Sequence, residues 1–543
     1  MTSTLERRSA VLDSQHTGDI RGALGTIRLD DTSPRRGLSA QFKTLLAIVG
    51  PGLIVMVGDN DAGAFATYGQ AGQNYGTRLL WTLLLLVPVL YVNQEMVLRL
   101  GAVTGVGHAR LILERFGKFW GAFSVIDLFI LNALTIITEF IGITLAAGYL
   151  GLPRVVAVAL AALVIIGAAF TGSFRRFERM AVGLCAGSLL LIPIYFLSHP
   201  AASQMARGFV TPVLPGGSGQ LGTVMLLVIG IVGTTVAPWQ LFFQQSYVID
   251  KRITPRFIKY EKADLWIGIV IVVLGAGAVM GFTAAAFAGH AGAGHFVNAA
   301  DIAVGLQAHA GRIAGVLFAI ALLDASIIGA FAVSLSTAYA IGDVFGLKHS
   351  LHRGVKGAKG FYAIYGGVVL AAAAVVLIPG SPLGLLTEGV QALAGVLLPS
   401  AAIYLLLLCN DRDVLGPWVN GRRTNLFTGT VVAVLVALSV ILTASVLDPG
   451  ITARQIVIIL ACCCGAAVLG ALAVAAWRLH TGTLATAPVD RAGRENWRMP
   501  QLALLTRPRV PLGRKIGMSI LRSYLAVATV LVAVKIIQLA LGH

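Results

Sequence analysis

Charge is scarce in this chain. Only 12% of its 543 residues are Asp, Glu, Lys or Arg, about half the share of an average soluble protein, whereas 57% are hydrophobic. Apolar stretches of about twenty residues recur almost to the C-terminus, which excludes a soluble globule and makes the bilayer the solvent. Cysteine is also sparse. Cys185, Cys409 and the run Cys462, Cys463, Cys464 lie in or at the edge of apolar stretches without paired spacing, so they read as small apolar packers and not as a zinc or iron–sulfur centre. The loops lack any cluster of nucleophile, base and orienting group, and no phosphate-cradling Gly-Lys-Ser sequence is present; an enzyme and an ATP-driven pump are both disfavoured. A short apolar core with a small-residue cleavage site is missing after the basic start, so the first span is expected to insert uncleaved.

Thirteen candidate spans run from residue 44 to residue 541, the first at 44–69, the sixth at 221–248 and the last at 516–541. Residues 1–43 mix Ser, Thr, Asp, Gly and Arg with few aromatics and are expected to form a flexible cytoplasmic tail. With the N-terminus inside, 34 of the 41 lysines and arginines fall in inner segments, and only Arg78, Arg154, Arg207, Arg312 and Arg454 fall outside. The net charge of +17 is therefore mostly membrane topology and does not call for a nucleic-acid partner. Arg522 and Lys535 would suit an interfacial helix as well as a thirteenth span.

An ionisable group inside a span is costly and marks a functional candidate. In the first span, Gly58-Asp59-Asn60-Asp61-Ala62-Gly63-Ala64 sets two glycines and two carboxylates into an apolar helix. In the sixth, Gly233-Thr234-Thr235-Val236-Ala237-Pro238-Trp239-Gln240 places a proline in mid-helix, freeing carbonyls one turn earlier. Gly58, Gly63, Gly233 and Pro238 are the expected helix breaks. Spans one and six are corresponding members of two five-helix halves, the pattern of an inverted-repeat transporter with its site between unwound segments. Carboxylates with freed carbonyls make a cation site; two kinked helices with glycines for packing are the plain alternative.

These residues resemble the NRAMP divalent-metal transporters. Gly50-Pro51-Gly52 through Asp61-Ala62-Gly63-Ala64 is similar to that family's first helix, which carries Asp-Pro-Gly-Asn. Gly233 through Leu241 is similar to its sixth helix, which carries Met-Pro-His. Weaker similarity lies in Arg99-Leu100-Gly101, Glu139-Phe140-Ile141-Gly142, Arg175-Arg176-Phe177-Glu178, Gln391 with Pro399, and Asn410-Asp411-Arg412. The resemblance spans a transporter core at 44–425, with additional spans and a basic loop over 424–543. It implies an all-α polytopic protein, a LeuT-like inverted repeat of 5+5 helices with the first and sixth broken. It also implies a divalent metal ion as cargo, with no cofactor. The family's Asp stands as Asp61, its Asn as Ala64 and its metal-ligating Met as Ala237. Loss of the soft thioether leaves an oxygen-donor site suited to Mg2+ or Mn2+, with Asp61, Asp59, Asn60, carbonyls near Ala237, Gln240, Gln391 and Glu139 as candidate ligands. Ala64 and Ala237 would widen the pocket for a hydrated ion. These departures resemble the NRAMP-related magnesium transporter branch.

The family's third-helix aspartate is Ile136 here and its second sixth-helix histidine is Gln244, so proton coupling is expected to be weak or absent. A uniporter-like carrier bringing Mg2+ and Mn2+ into the cytoplasm of a bacterial cell follows from the resemblance. The alternatives are a proton-coupled Mn2+ or Fe2+ symporter, an amino-acid carrier, disfavoured by two carboxylates at the break, and a non-transporting sensor. Trp239 could line a gate or pack. Asp127 and Asp324 could line the aqueous path or pair within the bundle. Glu95 is expected to make a structural ion pair with Arg99, and His290, His295 and His309 to be solvated in an outer loop.

Overall fold

The computed structural model describes residues 14–215, 221–290, 292–379, 383–448, 450–480, 489–505 and parts of 517–534. Apart from a two-stranded hairpin, β1 (Ile20–Arg21) with β2 (Thr26–Ile27), every regular element described is helical. The first expected span is three helices, α1 (Leu38–Ile48), α2 (Pro51–Val57) and α3 (Ala62–Tyr75), with a bend of 55° between α1 and α2. Then follow α4 (Trp81–Thr104), the short amphipathic α5 (His108–Phe116), α6 (Lys118–Tyr149), α7 (Arg154–Ala169), and α8 (Phe174–Cys185) continued by α9 (Leu191–Ser198). The second half opens with α10 (Ala202–Val210), lying ahead of the broken pair α11 (Leu221–Thr235) and α12 (Pro238–Asp250). It continues through α13 (Ile258–Phe287), α14 (Ala299–Ala310), α15 (Arg312–Phe345), α16 (Lys359–Val376) and α17 (Leu383–Cys409). The short α18 (Arg412–Leu415) leads to α19 (Arg422–Leu447) and α20 (Ala453–His480).

Ten of these segments are long and apolar enough to cross a membrane, and the bent first pair makes an eleventh; α7, with 16 residues, is shorter. Twelve of the thirteen expected spans thus correspond to helices, while the thirteenth, 516–541, lies largely outside the described residues. Two groups of five emerge, each opening with a broken helix: α2 packs on α12 and α3 on α11, and α6 against α15 forms the most extensive helix contact. Small residues permit it. A side-chain carbon on Gly142 of α6 would run into Ser326 of α15 and Ala62, and one on Gly329 would meet Glu139 and Asp61.

The breaks are displaced from two of the expected glycines. Helix α2 ends at Gly58 and α3 restarts at Ala62, so Gly63 sits inside the first turn of α3; Gly233 lies inside α11, and the second break is Val236–Ala237. Both glycines serve close packing instead: a Cβ on either would collide with Gln391 of α17. Pro238 occupies the first turn of α12, where a missing N–H costs nothing, so it starts a helix and does not kink one.

The expected flexible tail is a further correction. Residues 1–13 lie outside the described residues, but within 14–36 His16, Ile20, Ala23 and Ile27 are buried and the stretch is tethered to the bundle. Ala23 N donates to Glu178 Oε2 at 2.5 Å, Arg175 Nε to Gly22 O at 3.0 Å, and Arg256 Nη1 to Asp31 O at 2.7 Å. Low hydrophobicity predicted disorder, but the segment is held by hydrogen bonds to basic and acidic groups at one end of the bundle and not by its own core.

Candidate metal-ion site

At the first break the backbone leaves the helix at Gly58 and re-enters with Asp61 as the N-cap of α3, its Oδ1 accepting from Ala64 N at 2.9 Å. Ahead of the break, α2 is held from its start: the Asp264 carboxylate of α13 accepts from the N–H groups of Gly50, Gly52 and Leu53. The sequence Gly50-Pro51-Gly52 fits that cradle because a side chain at residue 52 would strike the backbone of Leu265. At the second break, Ala237 is the N-cap of α12 without a side-chain cap. The negative C-terminal ends of α2 and α11 and the N-terminal ends of α3 and α12 therefore converge on one region.

Two groups of polar side chains meet there. In the first, Asp61 and Glu139 are close neighbours, both bordering Gly329 of α15, and Glu139 Oε2 accepts from Ala62 N at 3.1 Å. Two neighbouring buried carboxylates repel, and a shared proton or a cation between them would relieve that repulsion. Gln391 approaches the same turn from α17, pressed over Gly63. In the second, Gln240 donates to Asp59 Oδ1 in a short contact and accepts from Gln94 Nε2 at 2.8 Å. Tyr68 and Thr235 join the two broken helices through a 2.7 Å hydroxyl contact.

Every candidate ligand is buried, with Asp59, Glu139 and Gln240 at 0% exposure and Asp61 and Gln391 at 3%. Several polar atoms in this buried region lack a partner: Asp59 Oδ2, Glu139 Oε1, Gln391 Nε2 and Thr234 Oγ1. Buried oxygens without partners are costly, and a cation among them would relieve the cost. Among the described residues no three His, Cys, Asp or Glu side chains form a closed metal cage, so the donors here are carboxylates spaced by amides and hydroxyls.

Asn60 has a structural tie as well. Its Nδ2 donates to Val272 O at 3.2 Å beside Gly275 and so ties the break to α13, while its Oδ1 is buried without a partner, as are Asp59 Oδ2 and Glu139 Oε1. Ala64 and Ala237 are both buried at the break. Trp239 is buried, edge-on to Phe243, with its carbonyl accepting from Ser336. Gln94 and Tyr68 were missed by sequence reasoning; a glutamine in mid-span beside Glu95 was the available signal for the first.

A family model described as "Natural resistance-associated macrophage protein-like" (Nramp) matches residues 52–445. The chain belongs to the Nramp family. It is 30% identical over 419 residues to a protein of Ralstonia nicotianae named divalent metal cation transporter MntH, covering 73% of this chain and 90% of that one. A Burkholderia ambifaria protein of the same name is 28% identical over 437 residues, covering 77% and 92%. Among solved structures, the Eremococcus coleocola manganese transporter, in complex with an aromatic bis-isothiourea substituted compound, aligns at a TM-score of 0.60 and 19% identity, covering 83% of this chain and 97% of that one. That likeness places the chain in the Nramp fold, the LeuT-like inverted repeat of 5+5 helices with two broken members.

The remaining expectations sort by environment. Glu95 pairs with Arg99 Nη2 at 3.0 Å and Lys262 Nζ at 2.8 Å, the structural ion pair foreseen for it. His290, His295 and His309 are exposed. Asp324 lies against Gly187 after α8, and Asp127 sits near Arg522, whose guanidinium stacks on Trp120 at 3.8 Å; neither approaches the break.

Proposed function

We propose that this Nramp protein carries divalent metal cations across the membrane by alternating access between its two five-helix halves, with Mg2+ and Mn2+ as cargo and the N-terminus in the cytoplasm of a bacterial cell. The observation that carries the reading is the junction of the two breaks, where the unpartnered oxygens of Asp59 and Glu139 face a buried region lined by amides, with Ala237 at the second break offering no sulfur. Hard oxygen donors suit Mg2+ and Mn2+, and without a thioether the bias toward softer metals is reduced. The relatives' names, divalent metal cation transporter and manganese transporter, agree with the cargo class. Asp61, Asp59, Asn60, Gln240, Gln391 and Glu139 are the proposed ligand and shell residues, and the Asn60 amide also ties the break to α13.

The energetics need no proton. Two charges falling through about 100 mV gain roughly 4.6 kcal/mol, enough for accumulation of about a thousandfold. Ile136 and Gln244 stand where titratable groups would otherwise serve a proton path, which supports uniport. One observation favours a second reading, a proton-coupled symporter: the neighbouring Asp61 and Glu139 can hold a proton that an arriving cation would displace. Flux into proteoliposomes carrying a pH dye separates the two. Uniport predicts Mg2+ entry with no stoichiometric acidification, and symport predicts acidification that tracks the metal and vanishes in Glu139→Gln.

A further inference from the structure

A cavity of about 460 Å3 lies between α4 and the first turns of α13 and α19, on the face that the charge count assigns to the cytoplasm. Five cations line it, Arg99, Lys262, Arg423, Arg491 and Arg494, against one acid, Glu95. Glu95 is already engaged by Arg99 and Lys262, which leaves the positive charge in excess. Arg99 is buried, donating from Nη1 to Trp418 O and from Nη2 to Asn420 Oδ1, while its Nε has no partner. Arg494 lies over the Trp418 ring at 4.4 Å, and Arg423 is exposed at the rim. Helix α19 begins here without a side-chain cap, so the first-turn N–H groups around Gly421, Arg423 and Thr424 add a positive helix end to the same cavity.

Tyr91 and Phe427 give the cavity an apolar side, which continues onto the outer surface through Trp266 and Leu426. Tyr91 stacks on Trp266 at 4.9 Å, Trp266 is 43% exposed, and Phe427 and Leu426 are 45% and 75% exposed on the outer surface of α19. Exposed aromatics at the ends of apolar helices mark the headgroup level of a bilayer. A cavity with a cationic floor and an apolar outer wall at that level matches an amphiphile with an anionic head and acyl chains.

We propose that this cavity is a binding site for an anionic phospholipid of the inner leaflet, the phosphodiester held by Arg423, Arg491, Arg494 and the start of α19, and the chains lying along Tyr91, Trp266 and Phe427. Basic pockets between spans on the cytoplasmic side recognise such headgroups. The site joins the transporter core, through α4 and α13, to α19 and to the loop carrying Arg491 and Arg494. Its occupancy therefore stabilises the packing of that C-terminal region on the core.

The test is a titration of the purified full-length protein in nonionic detergent with phosphatidylglycerol, read as the thermal unfolding midpoint. Phosphatidylcholine and inorganic phosphate form the comparison arms. The proposal expects a saturable rise with phosphatidylglycerol alone, and an Arg423→Gln/Arg491→Gln variant whose half-saturation lies about thirtyfold higher. A Lys348→Gln/Lys356→Gln variant, which removes the same charge from another loop on that face, should titrate like the parent. Equal shifts with phosphatidylcholine or with phosphate, equal loss in the two variants, or no shift in the parent would each overturn it. Should the first variant not fold, Arg494→Gln alone must raise the half-saturation or the proposal fails.

Discussion

Asp61 does two things at the residue scale: it caps α3 through Ala64 N and places a carboxyl beside Glu139. Asn caps a helix as well as Asp does, so Asp61→Asn separates the roles. We expect a normally folded protein in which metal uptake falls more than about tenfold, since even outer-shell partners of a metal commonly contribute that much. Uptake in Asp61→Asn equal to the parent would remove Asp61 from the ligand set. Ala237→Met tests the missing sulfur. Restoring a thioether at the N-cap of α12 should raise competition by Cd2+ and depress Mg2+ uptake, and unchanged selectivity would move the explanation to Ala64 and pocket width. These two positions were legible in the sequence because carboxylates and a proline in apolar surroundings stand out. Gln94 and the diversion of Asn60 toward Val272 were not, because which way a side chain turns at a break depends on helices far away in the chain.

Elements around the N-terminal hairpin are fastened by a buried ion pair. Lys251 Nζ lies 2.6 Å from Glu178 Oε1 and also donates to the carbonyls of Ile48 and Val49, so α1, α8 and the end of α12 share one cation. Removing one partner leaves a buried charge, so Glu178→Gln should cost about 3–5 kcal/mol, whereas Glu178→Gln with Lys251→Met should cost clearly less. A double variant no more stable than Glu178→Gln, by denaturation in detergent, would contradict the pairing. The neighbouring loop carries His349, 3.1 Å from Asp343. Burial works to lower its pKa, but the hydrogen bond to Asp343 and that carboxylate's charge outweigh burial and hold it at about 9, above the ordinary 6.5. A group whose pKa is raised on folding stabilises fully below its unfolded value and loses that contribution as pH climbs through its folded value. Melting temperature should therefore fall between pH 6.5 and 9, and the fall should be shallower in His349→Gln; identical slopes would refute the linkage. The ordered hairpin was hidden from the sequence because its partners, Glu178, Arg175 and Arg256, lie more than a hundred residues away.

For the whole molecule, twelve spans and two broken helices were readable from hydropathy and from Gly, Pro and Asp placed against the apolar pattern, whereas the pairing of α2 with α12 and α3 with α11 comes from the structure alone. Gly63 and Gly233 misled, since a glycine needed for helix contact and one needed for a break look alike in a sequence; only the approach of Gln391 distinguishes them. The candidate residues could be named from the sequence but their geometry could not, for Asp61 neighbours Glu139 while Asp59 meets Gln240. On the proposed function, this geometry moves a hard divalent cation down its electrochemical gradient. The most direct test is flux of Mg2+, Mn2+ and Cd2+ into proteoliposomes of the purified protein, with a pH dye inside and Asp61→Asn as the control. The account predicts Mg2+ and Mn2+ entry that needs Asp61 and leaves the internal pH unchanged. Entry of Mn2+ or Cd2+ alone, accompanied by protons, would contradict it.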